Sequence, residues 1–281
     1  MVCNITPSMA AVTGPSHVFE TMFFDFIRSA GDGFVASAVI RHYGQQCKRL
    51  VVPVHKHFLK TFQTLYQDQP NIDVVDFERV LQDYRQVYEL GTGIIHVPPL
   101  LGIESEHGRT HPIWDEQYYS FYGLPFSLRY TGFKVPASSP SAIQLYQQVV
   151  KQPRYIVTHR AFGTTRSGDL PPVANKTLLD LRPAGLADQL DDISEFQIID
   201  LDQSLSDNMM DYIEILRNAE EIHVVPSSVF CLLDGITDQI KGRLFYHLNR
   251  GNAILRVNHQ WNNYRWTVLM YDKFVSEFTL G

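Results

Sequence analysis

Three short stretches of this 281-residue chain combine residue types and spacings that can do chemistry. In Gly31, Asp32 and Gly33 a carboxylate stands between two glycines, where the chain can turn tightly and leave the acid projecting into a cleft. The plainer alternative is that Asp32 caps the helix that follows, since Asp is a favoured N-cap and its charge suits the helix dipole. In the second stretch, Val157, Thr158, His159 and Arg160 are followed by Thr164, Thr165, Arg166, Ser167, Gly168 and Asp169. An arginine fork beside small hydroxyls suits a diphosphate, which accepts paired hydrogen bonds; a solvated loop with a surface Arg–Asp pair is the alternative. In the third, Glu221–Val225 alternates as a strand, Pro226 stops it, and Ser227 and Ser228 open a helix. Hydroxyls and free backbone N–H groups at a helix start make an anion site, with Ser as an ordinary N-cap the competing account.

These residues need a scaffold that brings them together, and the chain reads as α/β with a largely parallel sheet, because short β-rich runs alternate with segments of helical period. A strand is expected over Phe19–Ile27, a turn at Gly31–Gly33 and a helix over Phe34–His42 with Val35, Ala38 and Val39 on one face. A strand at Leu50–Val54, a helix from about Lys56 to Tyr66, a strand at Ile72–Phe77, a helix over Glu78–Val87 and a short strand at Gly93–Val97 complete the first half. Ala137–Ser141 reads as a hinge or helix cap and Ser141–Val150 as a helix leading to the boundary. In the second half, strands are expected at Tyr155–His159, Phe196–Leu201, Glu221–Val225 and Arg243–Leu248, with helices at Ser206–Asn218 and Ser227–Lys241. The resulting expectation is two Rossmann-like domains facing a cleft: residues 1–18 a loose tail, 19–150 the first domain and 151–281 the second, its last segment a candidate to pack back on the first. Ligands of such sheets bind beyond the carboxyl ends of the strands, where all three motifs fall. Gly-Asp-Gly is short of G-x-G-x-x-G, so no dinucleotide fingerprint supports a nicotinamide or flavin.

Composition narrows the classes further. The net charge of −6, from 24 basic and 30 acidic residues, and the lack of a Lys/Arg run disfavour nucleic acid as a partner. Charge, His or Pro interrupts each apolar stretch well before the roughly 20 residues of a membrane span. Met1–Ser16 has no basic and apolar signal pattern. Cys3, Cys47 and Cys231 offer neither a disulfide framework nor a zinc site and fit a reducing, cytoplasmic compartment. His55 and His57 lack a third ligand, and His96, His107 and His111 are scattered over a Pro-rich stretch, so no metal and no bound cofactor are expected. Between Pro98 and Pro136 the periodicity weakens and Trp114, Tyr118, Tyr119, Phe121, Tyr122, Phe126, Tyr130 and Phe133 crowd together, either as a site wall or as interdomain packing.

The order and spacing of Asp202–Ser206, a helix ending Leu216–Ala219, the strand Glu221–Val225 and the Ser227-Ser228 helix start resemble the nucleotide-sugar half of GT-B glycosyltransferases, heptosyltransferase-like enzymes above all. Where those commonly have Asp-Thr-Gly, this chain has Pro226-Ser227-Ser228. Arg28–Gly33 with Ile40 and Arg41 is similar to their first loop, and His159 and Arg160 to Asp169 are loosely similar to the His-x-Arg phosphate motif of GT-B fucosyltransferases. The resemblance implies a metal-independent glycosyltransferase that moves a sugar from a nucleotide-sugar donor, its only co-substrate, to a hydroxyl of a glycan or other acceptor. It implies Asp32 as catalytic base and His159, Arg160, Arg166, Ser227 and Ser228 on the donor diphosphate. The aromatic segment would then meet the acceptor through His107, His111, Trp114, Tyr118 and Arg129. Two alternatives stand beside it: a non-catalytic nucleotide or glycan binding protein with the same cleft, and sugar transfer to a modified DNA base, which the acidic balance disfavours.

Overall fold

The computed structural model describes residues 19–24, 27, 29–79, 94–95, 114–159, 195–201, 205–225, 227–249 and 265–271. The expected tail, the expected helix beyond residue 79 and the stretch 160–194 lie outside them. The first half is built from β1 (Phe19–Phe24), α1 (Ala30–Gly44), β2 (Cys47–Val54), α2 (Leu59–Leu65), β3 (Ile72–Asp76) and β4 (Ile94–Ile95). Its strands are parallel in the order β3-β2-β1-β4. Leu50 to Val54 are buried without alternation, the pattern of a parallel strand covered on both faces. The helix expected from Lys56 opens instead as a 3-10 turn at Lys56–Phe58, with the His55 side chain accepting the His57 N–H, and only then becomes α2.

The aromatic segment is more regular than its sequence suggests. It forms α3 (Trp114–Phe121) and α4 (Leu128–Thr131), followed by α5 (Pro140–Val149) with Ser139 as N-cap and proline in the first turn, where its missing N–H costs nothing. Its rings pack on one another: Tyr119 and Tyr130 each meet Phe126 edge to face at 5.8 Å, and Tyr119 donates its buried hydroxyl to Val35 O at 2.8 Å.

The second half contains β5 (Tyr155–His159), β6 (Gln197–Asp200), a 3-10 turn at Met209–Tyr212 running into α6 (Ile213–Asn218), β7 (Glu221–Val224), α7 (Ser228–Gly235), β8 (Arg243–Asn249) and β9 (Trp266–Tyr271). All neighbours are parallel in the order β6-β5-β7-β8-β9. The helix expected to reach Lys241 stops at Gly235, because Ile236 leaves helical geometry at φ −127°, and a separate 3-10 turn follows at Thr237–Gln239. The β9 strand has no counterpart in the sequence reading.

One apolar core runs from the first sheet through α1 and α7 into the second. Both helices are apolar nearly all round, as buried helices must be, and they pack along each other. The contact between the halves is therefore core, with the sheets on its two sides.

Candidate functional site

Asp32 lies inside α1 rather than in a turn ahead of it. Ser29 takes the N-cap position at φ −132°, ψ 155°, and its hydroxyl accepts the Asp32 N–H at 3.2 Å. This corrects the expected turn at Gly31–Gly33, and the N-cap position that the alternative reading gave to Asp32 belongs to Ser29. Asp32 is the third residue of the helix, half-buried, with its charge set against the positive end of the backbone dipole. Gly33 is explained by packing, since a side-chain carbon there would overlap the Phe62 ring.

The Ser227-Ser228 motif forms as the sequence suggests. Ser227 is the N-cap of α7 in extended conformation (φ −161°, ψ 174°), its hydroxyl accepting the Phe230 N–H at 3.3 Å. The two helix starts meet. A side-chain carbon on Gly31 would stand 3.4 Å from Cys231 Sγ and 3.6 Å from Ser228 Cα, which is van der Waals contact. Burial pushes the Cys231 thiol in this junction up to about 12, and the nearby carboxylates of Asp234, Asp32 and Asp115 add to the rise.

Beside the junction, at the carboxyl ends of β5 and β6, is a cavity of about 150 Å³. Its polar groups come from His159, Ser206 and Ser228, and its apolar walls from Leu201, Met209, Tyr212, Leu216, Val229 and Leu232. Ligand pockets commonly enclose about 300–1,000 Å³, so this one suits a single ring or a sugar-sized group. Of the residues expected to hold a diphosphate, His159 and Ser228 are thus brought together, with Ser227 adjacent in the chain. Arg160 and Arg166 lie outside the described residues. Sequence reasoning missed the apolar walls because four separate elements supply them, and nothing in their local pattern distinguishes a wall from a core.

The expected acceptor contacts fare differently. His107 and His111 lie outside the described residues, and Trp114 is seen only as the first residue of α3. Tyr118 and Arg129 are each 3% exposed, which corrects their assignment to an acceptor surface. Arg129 instead clamps the halves together. Its Nη2 donates to Asp234 Oδ2 at 2.8 Å, and its Nη1 forms an ion pair with Asp115 Oδ2 at 2.9 Å. Tyr130 and Trp266 also donate to Asp234, at 3.2 and 3.3 Å. Burial raises the Asp115 carboxyl above its ordinary range despite the guanidinium beside it. His55 and His57 stack on each other at 4.7 Å at the carboxyl end of β2.

Two parallel sheets with helices between them, and a polar junction at the carboxyl ends of their strands, define a GT-B type α/β fold. The glycosyl transferase family 9 protein of Veillonella parvula has this fold and aligns with 92% of this chain and 87% of its own, at a TM-score of 0.55 and 10% identity. The ADP-heptose LPS heptosyltransferase II of E. coli aligns over 89% of this chain and 90% of its own, at a TM-score of 0.50 and 8% identity. At these identities the likeness is one of fold. Comparison with protein-family profiles and with curated protein sequences finds no match. Among the described residues no helix is long and apolar enough to cross a membrane.

Proposed function

We propose that the protein is a glycosyltransferase that moves a sugar from a nucleotide-sugar donor to an acceptor hydroxyl without a metal. The observation that carries this reading is the meeting of two helix starts from opposite halves, one bearing Asp32 and the other Ser228, beside a ring-sized cavity. The donor diphosphate is assigned to the start of α7, through Ser227, Ser228 and their backbone N–H groups, with His159 and Arg160 or Arg166 completing the anion site. Asp32 accepts the acceptor's proton as the acceptor oxygen bonds to the anomeric carbon. The bond from that carbon to the phosphate oxygen breaks, and the diphosphate leaves with the electron pair, its charge met by the helix start and the arginines. His107, His111 and Trp114 are assigned to the acceptor. The buried free thiols of Cys47 and Cys231 fit the cytoplasmic location that belongs to the same proposal.

A second reading, a binding protein without turnover, is favoured by one feature: Gly31 packs against Ser228 and Cys231, which leaves no room for a ligand between the two helix starts at that point. One experiment separates the two. The melting temperature is measured with ADP, GDP, UDP and CDP, and hydrolysis or transfer from the matching nucleotide sugars is followed with and without EDTA. Saturation with a nucleotide at a hundred times its Kd should add about 2.7 kcal/mol of stability, and turnover should persist in EDTA. Binding without turnover supports the second reading, whereas no response to any nucleotide or nucleotide sugar sinks both.

A further inference from the structure

We infer that Thr61, on α2 of the first half, is a positioning residue for the nucleotide pocket of the second half, because it fixes the wall that Ser206 and Met209 give to the cavity. The inference rests on the nucleotide reading above. Thr61 is fully buried although it carries a hydroxyl, and its Oγ1 accepts the Met209 N–H at 3.0 Å. On the same helix, Thr64 Oγ1 accepts from Asn208 Nδ2 at 3.2 Å, and Lys60 Nζ donates to Asp207 Oδ1 at 2.9 Å. Asp207, Asn208 and Met209 are therefore all bonded to α2.

The same loop is also tied to its own half. Ser206 Oγ donates to Asp211 Oδ2 at 2.7 Å, the Ser206 N–H donates to the Tyr212 hydroxyl at 2.7 Å, and Asn208 Oδ1 accepts the Met210 N–H at 3.1 Å. Ser206, Met209 and Tyr212 line the cavity rimmed by His159 and Ser228. The second half thus supplies the wall, and the first half sets its position. The exposed Lys60–Asp207 pair contributes little in water. The Thr61 bond matters more, since Thr61 is fully buried and removing its acceptor leaves the half-buried Met209 N–H without its partner, which frees the loop to shift. Ligand affinity and apposition of the halves are consequently coupled, each favouring the other.

The test uses the full chain. Melting temperature and Kd at 20 °C are measured for whichever of ADP, GDP, UDP and CDP the parent binds, in Thr61→Val, Thr61→Ser and Ile72→Ala. Val keeps the shape of Thr without the acceptor, Ser keeps the acceptor, and Ile72 is a core residue of β3 outside the cavity lining. Thr61→Val should weaken nucleotide binding about threefold to tenfold, the range of one lost hydrogen bond, and Thr61→Ser should stay within about twofold of the parent. Ile72→Ala should melt lower with its Kd unchanged. Parent-like affinity in Thr61→Val, or equal weakening in Ile72→Ala, overturns the positioning role. If Thr61→Val does not fold, Thr64→Val, which removes the bond from Asn208 of the same loop, is used instead: a loss of about threefold or more supports the role, and affinity within about twofold of the parent overturns it. A parent that binds none of the four nucleotides removes the nucleotide reading and this inference with it, and is recognised by the parent alone.

Discussion

The starts of α1 and α7 are built alike and face each other, yet they are chemically unequal. Each opens on a serine whose hydroxyl accepts the N–H of the third helical residue. In α1 that residue is Asp32, whose charge compensates the positive end of the dipole from within. In α7 it is Phe230, which stacks on Tyr246 at 4.0 Å in the core and leaves the helix start with no acid of its own in the first turn. One amino-acid difference at equivalent positions therefore separates a helix end suited to hold a base from one suited to take an outside anion. In the proposed function these two ends, facing each other across a packed junction, are the base and the anion site of neighbouring halves.

The largest expected effect lies on the α1 side. Asp32→Asn keeps the shape of the side chain and removes its proton affinity, so turnover should fall roughly 10²- to 10⁴-fold while donor affinity barely moves. A fully active Asp32→Asn protein would equate the two helix starts and move the search for a base to the acceptor segment.

Next comes the clamp that holds the two starts together. Arg129→Met leaves the buried carboxylates of Asp115 and Asp234 without their cation and should cost about 3–5 kcal/mol of stability, read as the urea midpoint and melting temperature. A loss below about 1 kcal/mol, the scale of a surface pair, would mean that the clamp does not hold the junction.

The smallest effects sharpen the comparison most. Ser29→Ala and Ser227→Ala should each cost about 1 kcal/mol, because both remove one N-cap acceptor. Only Ser227→Ala should also weaken nucleotide binding, by about tenfold if its hydroxyl meets a charged phosphate. Equal binding in the two variants would remove the anion site from α7.

Much of this molecule is legible in its sequence where neighbouring residues decide the outcome. The alternation of strands and helices, the burial of Leu50–Val54 and the serine that opens α7 all follow from local pattern and backbone chemistry. The position of Asp32 was harder, because glycines on both sides suggest a turn, whereas Ser29 had already started the helix and Gly33 exists to make room for Phe62.

What sequence could not decide is where polar residues go when elements assemble. Glu221 and His223 alternate with apolar residues as if one face of β7 met water, yet both are fully buried. His223 pairs with Glu221 Oε2 at 3.2 Å and with His247 of β8 at 3.0 Å, and Arg243 bonds to the other Glu221 oxygen. Arg129 reads as a residue that greets a ligand, but its partners lie 14 positions before it, at Asp115, and 105 after it, at Asp234. The cavity likewise draws part of its wall from loop 206–209, which is bonded to α2 of the other half. Local propensity and periodicity are properties of neighbouring residues and are written in the chain; the burial of a charge depends on which distant carboxylates the packed elements bring to it, and that is fixed only when the core closes.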